Sequence, residues 1–383
     1  MKVKILRILT RPNVGGVTVH VVMLTEGLDK SRFETLLVCG RVLGNEADMS
    51  YYAAEKGVLP LILPELKRNT HFLNDLIVFI KIYKLIKKEK PQIIDTHTTK
   101  DSALGRMAGI TYNFLHPWRK VKLVHTYHGQ AFEGYLGRFK SAAFIFFERC
   151  LAVFTDKIIT VSDSLKEKLI SLSISSAKKI SVIPYGFELD NFLNIKPRAN
   201  GVLNIGIVAR LVPIKNHRLF LNSAQRVIKD NPQAKIRFKI IGDGELRGML
   251  EGYALGLGIS DYVDFLGWKR DLVAAYNELD IISLTSLNEG TPVSLIEAMA
   301  AAKPIVATKV GGVVDLLGEE GVRGFLVGLN DTEAFARALS DLVKDKGLRE
   351  KIGLSGREFI RMKFRKERLI RDTEQLYMKL LSK

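Results

Sequence analysis

Two carboxylates, Glu289 and Glu297, stand eight positions apart in the segment NEGTPVSLIEAMAAAKP. Thr291 is a favourable N-cap residue and Pro292 suits the first helical position, so the segment predicts a helix over residues 292–302. This helix is too apolar for a solvent-facing surface, which indicates a specific role for Glu297 in its second turn. Helical side chains lean toward the N-terminus, so the Glu297 carboxylate can reach a ligand there and accept hydrogen bonds from the vicinal hydroxyls of a ribose.

The start of the same helix is predicted to bind an anion. Its first backbone N–H groups have no partner within the helix and the helix dipole is positive there, which suits a diphosphate. Arg210 and Lys215 follow the predicted strand 203–208. They can neutralise the charge that develops on a departing diphosphate, although two surface cations in a basic protein are the alternative interpretation.

No motif for a metal or a dinucleotide is present. The sequence lacks Asp-x-Asp, clustered Cys and His at metal-ligand spacing, G-x-G-x-x-G and G-x-x-x-x-G-K-[ST]. Its two cysteines, Cys39 and Cys150, are scattered and fit a reducing compartment. We therefore expect no metal and no other cofactor, and a phosphate site that uses the cations of the chain itself.

Short β-rich runs alternate with helical patterns along the whole chain. The strand candidates are 3–9, 35–39, 58–63, 92–96, 121–126, 157–161, 180–183, 203–208, 236–241, 262–266, 280–284, 304–307 and 323–327. Helical patterns at 17–29, 72–89 and 137–155 separate some of them. Such alternation predicts βαβ units and parallel sheets, and the stretch 182–201, with two prolines and two glycines, is interpreted as a linker between two Rossmann-like domains.

Glycines follow two of the predicted strands. Parallel α/β domains bind ligands at the carboxyl ends of their strands, so these loops are candidate sites. Gly242 and Gly244 flank Asp243 and allow a ligand to approach the backbone, although a tight turn explains them nearly as well. Gly15 and Gly16 lie between the first strand and the first helix, where a helix-capping turn is the alternative.

These segments carry a resemblance to a known family. Glu289 and Glu297 form an E-x7-E motif, and EGTPVSLIEAMAAAKPIVATKVGG resembles the signature of retaining glycosyltransferases of GT-B architecture, the group 1 or family 4-like glycosyltransferases. IGIVARLVPIKN, IIGDGELRGMLE and VDFLGWKRDLVAAYNELDIISLTSLNEG resemble further family segments in the family's order. RPNVGGVTVHVVMLTEGL and VHTYHGQ resemble its glycine loop and His-Gly motif, so the resemblance covers nearly the whole chain and is closer in the second half.

The resemblance implies an α/β fold of GT-B architecture, in which two Rossmann-like domains with parallel sheets face each other across a cleft. It implies an acceptor-side domain over 1–190, a nucleotide-sugar-binding domain over 191–364, and a C-terminal helix in 365–383 that returns to the first domain. The activity that it implies is retaining, metal-independent transfer of a hexose from a nucleotide sugar, with UDP favoured, to a hydroxyl acceptor by front-side attack.

Roles for individual residues follow from the same resemblance and, for His97, from its position at the end of a predicted strand. The predicted catalytic residues are His128, Glu289, Arg210 and Lys215. The predicted donor-binding residues are Gly15, Gly16, Gly242, Asp243, Trp268, Lys269, Gly290, Thr291, Pro292, Val293 and Glu297. His97 is predicted to face the acceptor, Trp268 either stacks on the base or packs against its own domain, and His20 and His125 are interpreted as scaffold.

The net charge of +17 is uneven along the chain. Residues 1–190 hold 28 Lys and Arg against 18 Asp and Glu, residues 191–360 hold 22 against 20, and residues 361–383 hold 8 against 3. This basic excess indicates an anionic partner. The stretches 72–90 and 135–154 combine Phe and Leu with cations, as interfacial helices do. Burial of both in the core of the first domain is the alternative, and it is the favoured one for 72–90.

We therefore expect a cytoplasmic enzyme, peripheral at the inner face of the membrane, that acts on a lipid-linked glycan in surface-polysaccharide or glycolipid synthesis. No apolar run is long enough for a membrane span, and the charged first strand is unlike a signal peptide. One alternative is a GT-B sugar-nucleotide epimerase, which the E-x7-E motif disfavours. A basic nucleic-acid-binding protein is the other, but no binding module is evident, so we expect no nucleic-acid partner.

Overall fold

The computed structural model describes residues 2–12, 15–42, 48–67, 72–98, 100–129, 138–195 and 201–382. The chain divides into two compact units. Unit 1 comprises Met1–Phe187 and Lys366–Lys383, and unit 2 comprises Glu188–Arg365.

Each unit contains one parallel sheet in its described residues. The strands of unit 1 are β1 Val3–Leu9, β2 Phe33–Cys39, β3 Leu61–Ile62, β4 Ile93–His97, β5 Lys122–Tyr127, β6 Lys157–Thr160 and β7 Ile180–Val182. The strands of unit 2 are β8 Leu203–Val208, β9 Ile236–Ile241, β10 Val263–Gly267, β11 Ile281–Leu284, β12 Ile305–Thr308 and β13 Phe325–Val327. Their orders are β3-β2-β1-β4-β5-β6-β7 and β10-β9-β8-β11-β12-β13, so consecutive strands of both sheets need helical crossovers.

Helices occupy the connections. They are α1 Gly16–Gly27, α2 Ser50–Glu55, α3 Phe72–Glu89, α4 Lys100–Leu115, α5 Arg138–Phe154, α6 Asp163–Ser171, α7 Asp190–Leu193, α8 His217–Asp230, α9 Arg247–Gly256, α10 Leu272–Asn277, α11 Val293–Ala300, α12 Gly312–Leu317, α13 Thr332–Lys344, α14 Lys346–Lys363 and α15 Lys366–Leu381. Each of the predicted strands is present, with ends that differ by up to three residues. The predicted α/β fold with two parallel Rossmann-like sheets is confirmed.

Central strands are buried on both faces, which explains their nearly continuous apolar sequences. All four residues of β11 and all four of β12 are buried. The apolar sequence of α11 has the same cause, because this helix packs against α14 as well as against β11 and β12. Its buried side chains are Leu295, Ile296, Ala298, Met299 and Ala300.

The C-terminal helix α15 contributes to the core of unit 1. Leu369 and Tyr377 are fully buried in one cluster with Ile5 and Leu24, which belong to β1 and α1. The glutamate side chain of Glu374 also accepts a hydrogen bond of 2.8 Å from the backbone N–H of Asp29.

The strand order reverses beside the first strand of each sheet. In unit 1 the reversal lies between β1 and β4, and in unit 2 it lies between β8 and β11. Connections leave these paired strands toward opposite faces of the sheet, which opens a crevice at their carboxyl ends. The residues that follow β1, β4, β8 and β11 are therefore the ones that the fold positions for binding.

Candidate active site

Backbone hydrogen bonds join the loops after β8, β9 and β11 in unit 2. The N–H of Leu287 donates to the carbonyl of Ile214 at 2.8 Å, and the N–H of Leu211 donates to the carbonyl of Asp243 at 3.0 Å. The loop after β8 is thus fixed on both sides. The backbone of these loops therefore lines the crevice at this end of the sheet in a fixed position.

Glycines permit the close packing of these loops. A Cβ on Gly242, which has φ 137°, would lie 2.0 Å from the carbonyl oxygen of Ala209. A Cβ on Gly312 would lie 1.9 Å from the carbonyl oxygen of Gly290. Both positions require glycine because another loop occupies the space of a side chain. Packing of the two loops alone therefore accounts for a glycine at position 242, without a ligand.

Lys215 and Glu289 meet across the reversal point of the sheet. Lys215 ends a short 3₁₀ turn after β8, and its Nζ lies 2.5 Å from Glu289 Oε1. Ser286 Oγ donates to the same carboxylate oxygen at 2.6 Å, and Thr285 Oγ1 donates to the carbonyl of Lys215 at 2.9 Å. The carboxylate is thereby fixed on two sides, and the ammonium keeps further donors for a ligand.

Arg210 differs from Lys215 in its surroundings. It lies directly after β8 and is exposed, and its guanidinium makes no ion pair or hydrogen bond with any residue that the structure describes. Its charge is therefore not compensated by any of the residues described. An exposed cation at the carboxyl end of a central strand is available to an anionic ligand.

The helix after β11 begins later than predicted. Helix α11 spans Val293–Ala300 instead of 292–302, and its N-cap is Pro292, with φ −72° and ψ 113°. The prediction of Thr291 as the capping residue is wrong, because Pro292 is extended and stands between Thr291 and the first helical residue. No side chain caps the helix, and Thr291 Oγ1 is buried without a partner among the described residues. Among the described residues, the N–H of Leu295 donates to the carbonyl of Pro292 at 3.1 Å, whereas the N–H groups of Val293 and Ser294 stay open to an anion.

Glu297 is a carboxylate without a cation beside it in the described structure. Burial raises its pKa to about 7, although the neighbouring Tyr276 hydroxyl acts in the opposite direction. That hydroxyl donates to the carbonyl of Ser294 at 2.8 Å, so it compensates the carboxylate incompletely. Such a group gains from a ligand that donates hydrogen bonds to its ionised form.

The loops after β9 and β10 hold three further predicted residues. Asp243 Oδ1 accepts from the N–H of Gly244 at 2.8 Å, and its Oδ2 accepts from Arg247 at 3.2 Å, so this carboxylate stabilises its own loop. Trp268 is 54% exposed, which favours a surface available for stacking over packing within the unit. Lys269 is also exposed.

In unit 1 the glycine loop leads into α1. Gly15 is the N-cap residue and Gly16 the first helical residue, and no side chain caps the helix. Apart from its chain neighbours, no atom of the described residues lies within 4 Å of the position that a Cβ on Gly15 would take. The neighbouring positions 13 and 14 of the predicted glycine loop lie outside the described residues.

A buried polar network lies at the carboxyl end of β4. Asp95 Oδ2 lies 3.0 Å from Arg7 Nε, 3.0 Å from His97 Nε2 and 2.7 Å from the Tyr377 hydroxyl, which donates to it. Burial would raise the pKa of Asp95, but His97 and Arg7 hold it well below its usual range. Asp95 is therefore an anion that fixes the ring of His97.

The network continues from His97 to His128 and Tyr185. His97 Nδ1 lies 2.9 Å from His128 Nε2, and His128 Nδ1 lies 3.0 Å from the Tyr185 hydroxyl. Burial lowers the pKa of His128, and the neighbouring His97 lowers it further, so the imidazole is neutral. His97 is fully buried with both nitrogens engaged, and its role at the acceptor stays a prediction. The ring of His20, interpreted as scaffold, lies 5.0 Å from that of His128.

The predicted residues thus fall into two groups. In unit 2 the loops around β8 and β11 bring together Lys215, Glu289 and Gly290, and the same end of the sheet holds Arg210. In unit 1 the carboxyl ends of the strands bring His97 and His128 together.

Sequence reasoning missed several partners, namely Ser286, Tyr276, Asp95, Tyr377 and His20. One of them had a local signal. Asp95 stands two positions before His97 in β4, so the two side chains lie on the same face of the strand.

Comparison with known families gives two matches that together span most of the chain. Residues 203–345 match the model described as "Glycosyl transferases group 1", and residues 14–191 match "Glycosyltransferase Family 4". An Escherichia coli protein named UDP-Gal:alpha-D-GlcNAc-diphosphoundecaprenol alpha-1,3-galactosyltransferase is 30% identical over 358 residues, which are 91% of this chain and 89% of that protein. The Staphylococcus aureus capsular polysaccharide biosynthesis glycosyltransferase CapM is 28% identical, over 82% of this chain and 83% of its own.

Solved structures share the fold. Anabaena HepE in complex with UDP superposes with a TM-score of 0.80 at 18% identity, over 99% of this chain and all of its own. A glycosyltransferase from Rickettsia africae superposes with a TM-score of 0.78 at 18% identity, over 99% of each chain. At such low identity the likeness establishes the fold alone.

Proposed function

Because this chain belongs to the group 1 and family 4 glycosyltransferases, we propose that it moves a hexose from a UDP-sugar to a hydroxyl of a lipid-linked glycan, with retention of configuration. The pathway that we infer is the assembly of a surface polysaccharide or glycolipid. The name of the Escherichia coli relative supports both the UDP donor and the lipid-linked acceptor. UDP in the Anabaena structure and the capsular role in the name of CapM support the same proposal.

The observation that carries the donor site is Glu297. Its carboxylate has a pKa raised to about 7 by burial and has no cation beside it in the described structure, four residues into α11. Two vicinal ribose hydroxyls would donate to it and favour its ionised form. The diphosphate would then lie toward the uncapped start of the helix, where the backbone N–H groups of Val293 and Ser294 can donate to it.

Cations of the chain neutralise the diphosphate in this proposal. The bond from the anomeric carbon to the diphosphate oxygen breaks while the acceptor oxygen forms its bond on the same face, and a phosphate oxygen takes the acceptor proton. Negative charge grows on the leaving group. Arg210 and Lys215 stabilise that charge, and Glu289 holds Lys215 in place. The reaction then needs no metal at the diphosphate.

The first test is binding of nucleotides to the intact chain. Thermal shift with UDP, GDP and ADP should give the largest stabilisation with UDP, followed by a screen of UDP-hexoses for turnover. Glu297→Ala should lose the UDP shift, whereas Glu320→Ala, an exposed glutamate of the same unit, should keep it. Equal thermal shifts with UDP in the wild type and in Glu297→Ala would contradict the proposed donor site.

Helix α3 has apolar residues on two of its sides, one buried and one exposed. Val78, Ile82 and Ile86 are buried in the core of unit 1, as the favoured alternative for this stretch predicted. A second stripe on the first half of the helix is exposed. Its members are Phe72, Leu73, Leu76, Ile77 and Ile80, which are 41–80% exposed.

Another exposed apolar group lies at the ends of α4 and α5. Trp118 is 95% exposed, and Phe114 and Leu115 are exposed beside it in sequence. The ring of Phe154 lies 6.0 Å from that of Phe114 and is itself half exposed. The first residues of the predicted interfacial stretch, 135–137, lie outside the described residues.

We infer that these apolar groups rest on an anionic membrane surface, in line with a lipid-linked acceptor. None of the described helices is long and apolar enough to span a bilayer. Lys84, Lys87 and Lys88 are exposed on α3, and each cation near an anionic leaflet contributes about 1 kcal/mol. Apolar side chains with flanking lysines are typical of a helix that lies in the interface.

Sedimentation with vesicles tests the membrane proposal. The wild type should sediment with anionic vesicles at low salt and less at high salt, and Phe72→Ser/Leu76→Ser/Ile80→Ser should stay in the supernatant. Leu354→Ser/Met362→Ser is the matched control, because both side chains are exposed in unit 2. A wild type that stays in the supernatant with anionic vesicles at low salt contradicts membrane association and favours a soluble acceptor.

A further inference from the structure

We propose that His20, His97 and His128 form a binding site for a transition-metal ion that prefers nitrogen ligands, such as Zn²⁺. One ligand atom from each ring lies within 4.8 Å of the others. His20 comes from α1, His97 from the end of β4 and His128 from the residue after β5. The site is therefore distinct from the phosphate-binding loops of unit 2, and the Asp-x-Asp motif that the sequence lacks is not needed for it.

The orientation of His97 is that of a metal ligand. Its Nε2 lies 3.0 Å from Asp95 Oδ2, so Nε2 carries the proton and donates to the carboxylate. Arg7 and Tyr377 donate to the same carboxylate and hold it in place. The lone pair of His97 Nδ1 then points at the cluster, as in the carboxylate–histidine–metal arrangement common in metalloproteins.

His128 can change tautomer without the loss of a hydrogen bond. Without a metal, its Nε2–H donates to His97 Nδ1 across 2.9 Å, and its Nδ1 accepts from Tyr185. With a metal on Nε2, the proton moves to Nδ1, which lies 3.0 Å from the Tyr185 hydroxyl. That hydroxyl can accept this proton because its own hydrogen can turn to the carbonyl of His128, 3.4 Å away. This change of tautomer releases no proton from His128 or Tyr185.

His20 supplies the unsatisfied group. Its side chain is 2% exposed, and its Nδ1 is buried without a hydrogen-bond partner among the described residues. The ring meets His97 and His128 edge-on, with centroids 5.8 and 5.0 Å away. A buried nitrogen without a partner is unfavourable, and a metal bond would satisfy it.

The donor set selects the kind of metal. Three imidazole nitrogens suit Zn²⁺, Co²⁺, Ni²⁺ and Cu²⁺, whereas Mg²⁺ and Ca²⁺ prefer oxygen ligands. Zinc–nitrogen bonds of 2.0–2.1 Å place tetrahedral ligand nitrogens about 3.3 Å apart. The distance of 2.9 Å between His97 Nδ1 and His128 Nε2 would increase slightly, and the His20 nitrogen would move inward by up to about 1.5 Å.

A metal at this site would regulate the enzyme. His128 is one of the catalytic residues that the family resemblance implies, so a metal on its Nε2 would occupy a group that sugar transfer uses. This consequence rests on the proposed function, whereas binding itself does not. We therefore expect Zn²⁺ to inhibit transfer and a chelator to restore it.

Metal titration of the full chain, without a polyhistidine tag and after treatment with EDTA, tests the site. Zn²⁺ content after equilibrium dialysis should reach one per chain, and Co²⁺ should give the intense visible spectrum of a four-coordinate ion. Loss of a residue that hydrogen-bonds to a metal ligand weakens metal binding by a factor of about 10 to 100, and this is the loss expected for Asp95→Asn. His20→Ala removes a ligand itself and should weaken Zn²⁺ binding by at least as much. His116→Ala, a half-buried histidine of unit 1 outside the cluster, should bind like the wild type.

The outcomes separate the site from the function. Less than one Zn²⁺ per chain, an octahedral Co²⁺ spectrum, or equal affinity in His20→Ala and wild type would overturn the proposal. If His20→Ala does not fold, the stoichiometry and the Co²⁺ spectrum of the wild type decide. Absence of sugar transfer by the metal-free chain would count against the proposed function, but it would not change the conclusion on metal binding.

Discussion

Replacement of Glu297 by Gln should weaken UDP binding while it stabilises the protein. Hydrogen bonds to a charged group contribute about 1.5–3 kcal/mol and those between neutral groups about 0.5–1.5 kcal/mol. If two ribose hydroxyls donate to the carboxylate, the change costs about 2 kcal/mol, which is about 30-fold in Kd. The amide has nearly the shape of the carboxylate, so packing is preserved.

The gain in stability follows from the raised pKa of Glu297. The pKa is about 7 in the folded chain and 4.5 in its ordinary range, so the unfolded chain ionises first as the pH rises. Between pH 4.5 and 7, ionisation of Glu297 in the unfolded chain alone lowers the free energy of unfolding of the wild type. At 1.36 kcal/mol for each pKa unit, the cost is about 3 kcal/mol at pH 8 and about 1 kcal/mol at pH 5. Gln carries no charge and avoids this cost.

Calorimetry at two pH values measures both effects. For a unit of this size, 1 kcal/mol corresponds to about 2–4 °C, so Glu297→Gln should raise the Tm of unit 2 by about 6–12 °C at pH 8 and by about 2–4 °C at pH 5. Titration at pH 8 should show that Glu297→Gln binds UDP more weakly than the wild type does. Only the wild type should lose affinity for UDP as the pH falls below about 7, because its carboxylate becomes protonated. Glu320→Gln serves as the control for both measurements.

Two results would refute this reasoning. A Tm difference that is the same at pH 5 and pH 8 would show that Glu297 does not titrate between the folded and unfolded states. An unchanged Kd for UDP would show that the carboxylate does not contact the ribose, whatever its effect on stability.

Three further predictions concern the same unit. Arg210→Ala should lower kcat by about 10²- to 10³-fold, as the loss of a group that stabilises transition-state charge does, with the Tm unchanged; a wild-type kcat would contradict its role. Glu289→Ala should lower kcat more than it raises the Kd for UDP, because it releases Lys215 and not the nucleotide, and this split is read by comparing turnover with titration. Transfer by the wild type should survive EDTA; complete loss that Mg²⁺ or Mn²⁺ restores would show that a metal neutralises the diphosphate.

A fourth prediction, on Gly312→Ala, belongs with them because it tests the packing of the loops. The new Cβ would lie 1.9 Å from the carbonyl oxygen of Gly290, so the Tm should fall by several degrees, whereas Gly248→Ala, whose Cβ meets nothing within 4 Å, should not lower it. Equal Tm values for the two variants would show that the loops can separate at little cost.

Local patterns were enough for the elements of this protein. Parallel strands buried on both faces are short apolar runs, and the helices between them have a different period, so the alternation of the two is visible in the sequence. The E-x7-E motif was visible for the same reason, since a strand, a loop and a helix start follow one another within about twenty residues. Even the bounds of α3, Phe72–Glu89, were predicted from its periodicity.

The helix start at Pro292 was misjudged because capping depends on backbone angles that residue types only bias. The sequence also left open whether the apolar residues of α3 are exposed or buried, because periodicity shows which residues are apolar and not how many of them the neighbouring helices cover. Whether Lys215 meets Glu289 depends on the reversal of strand order between β8 and β11.

The histidine cluster depended most on tertiary structure. His20, His97 and His128 lie on separate elements, and Tyr377 reaches Asp95 from the last helix of the chain. No spacing relates these positions, because each is fixed by the sheet order and by the packing of α15 on unit 1. A sequence determines its local periods directly, whereas contacts between distant residues arise only when the strands pair and bring their carboxyl ends to one edge.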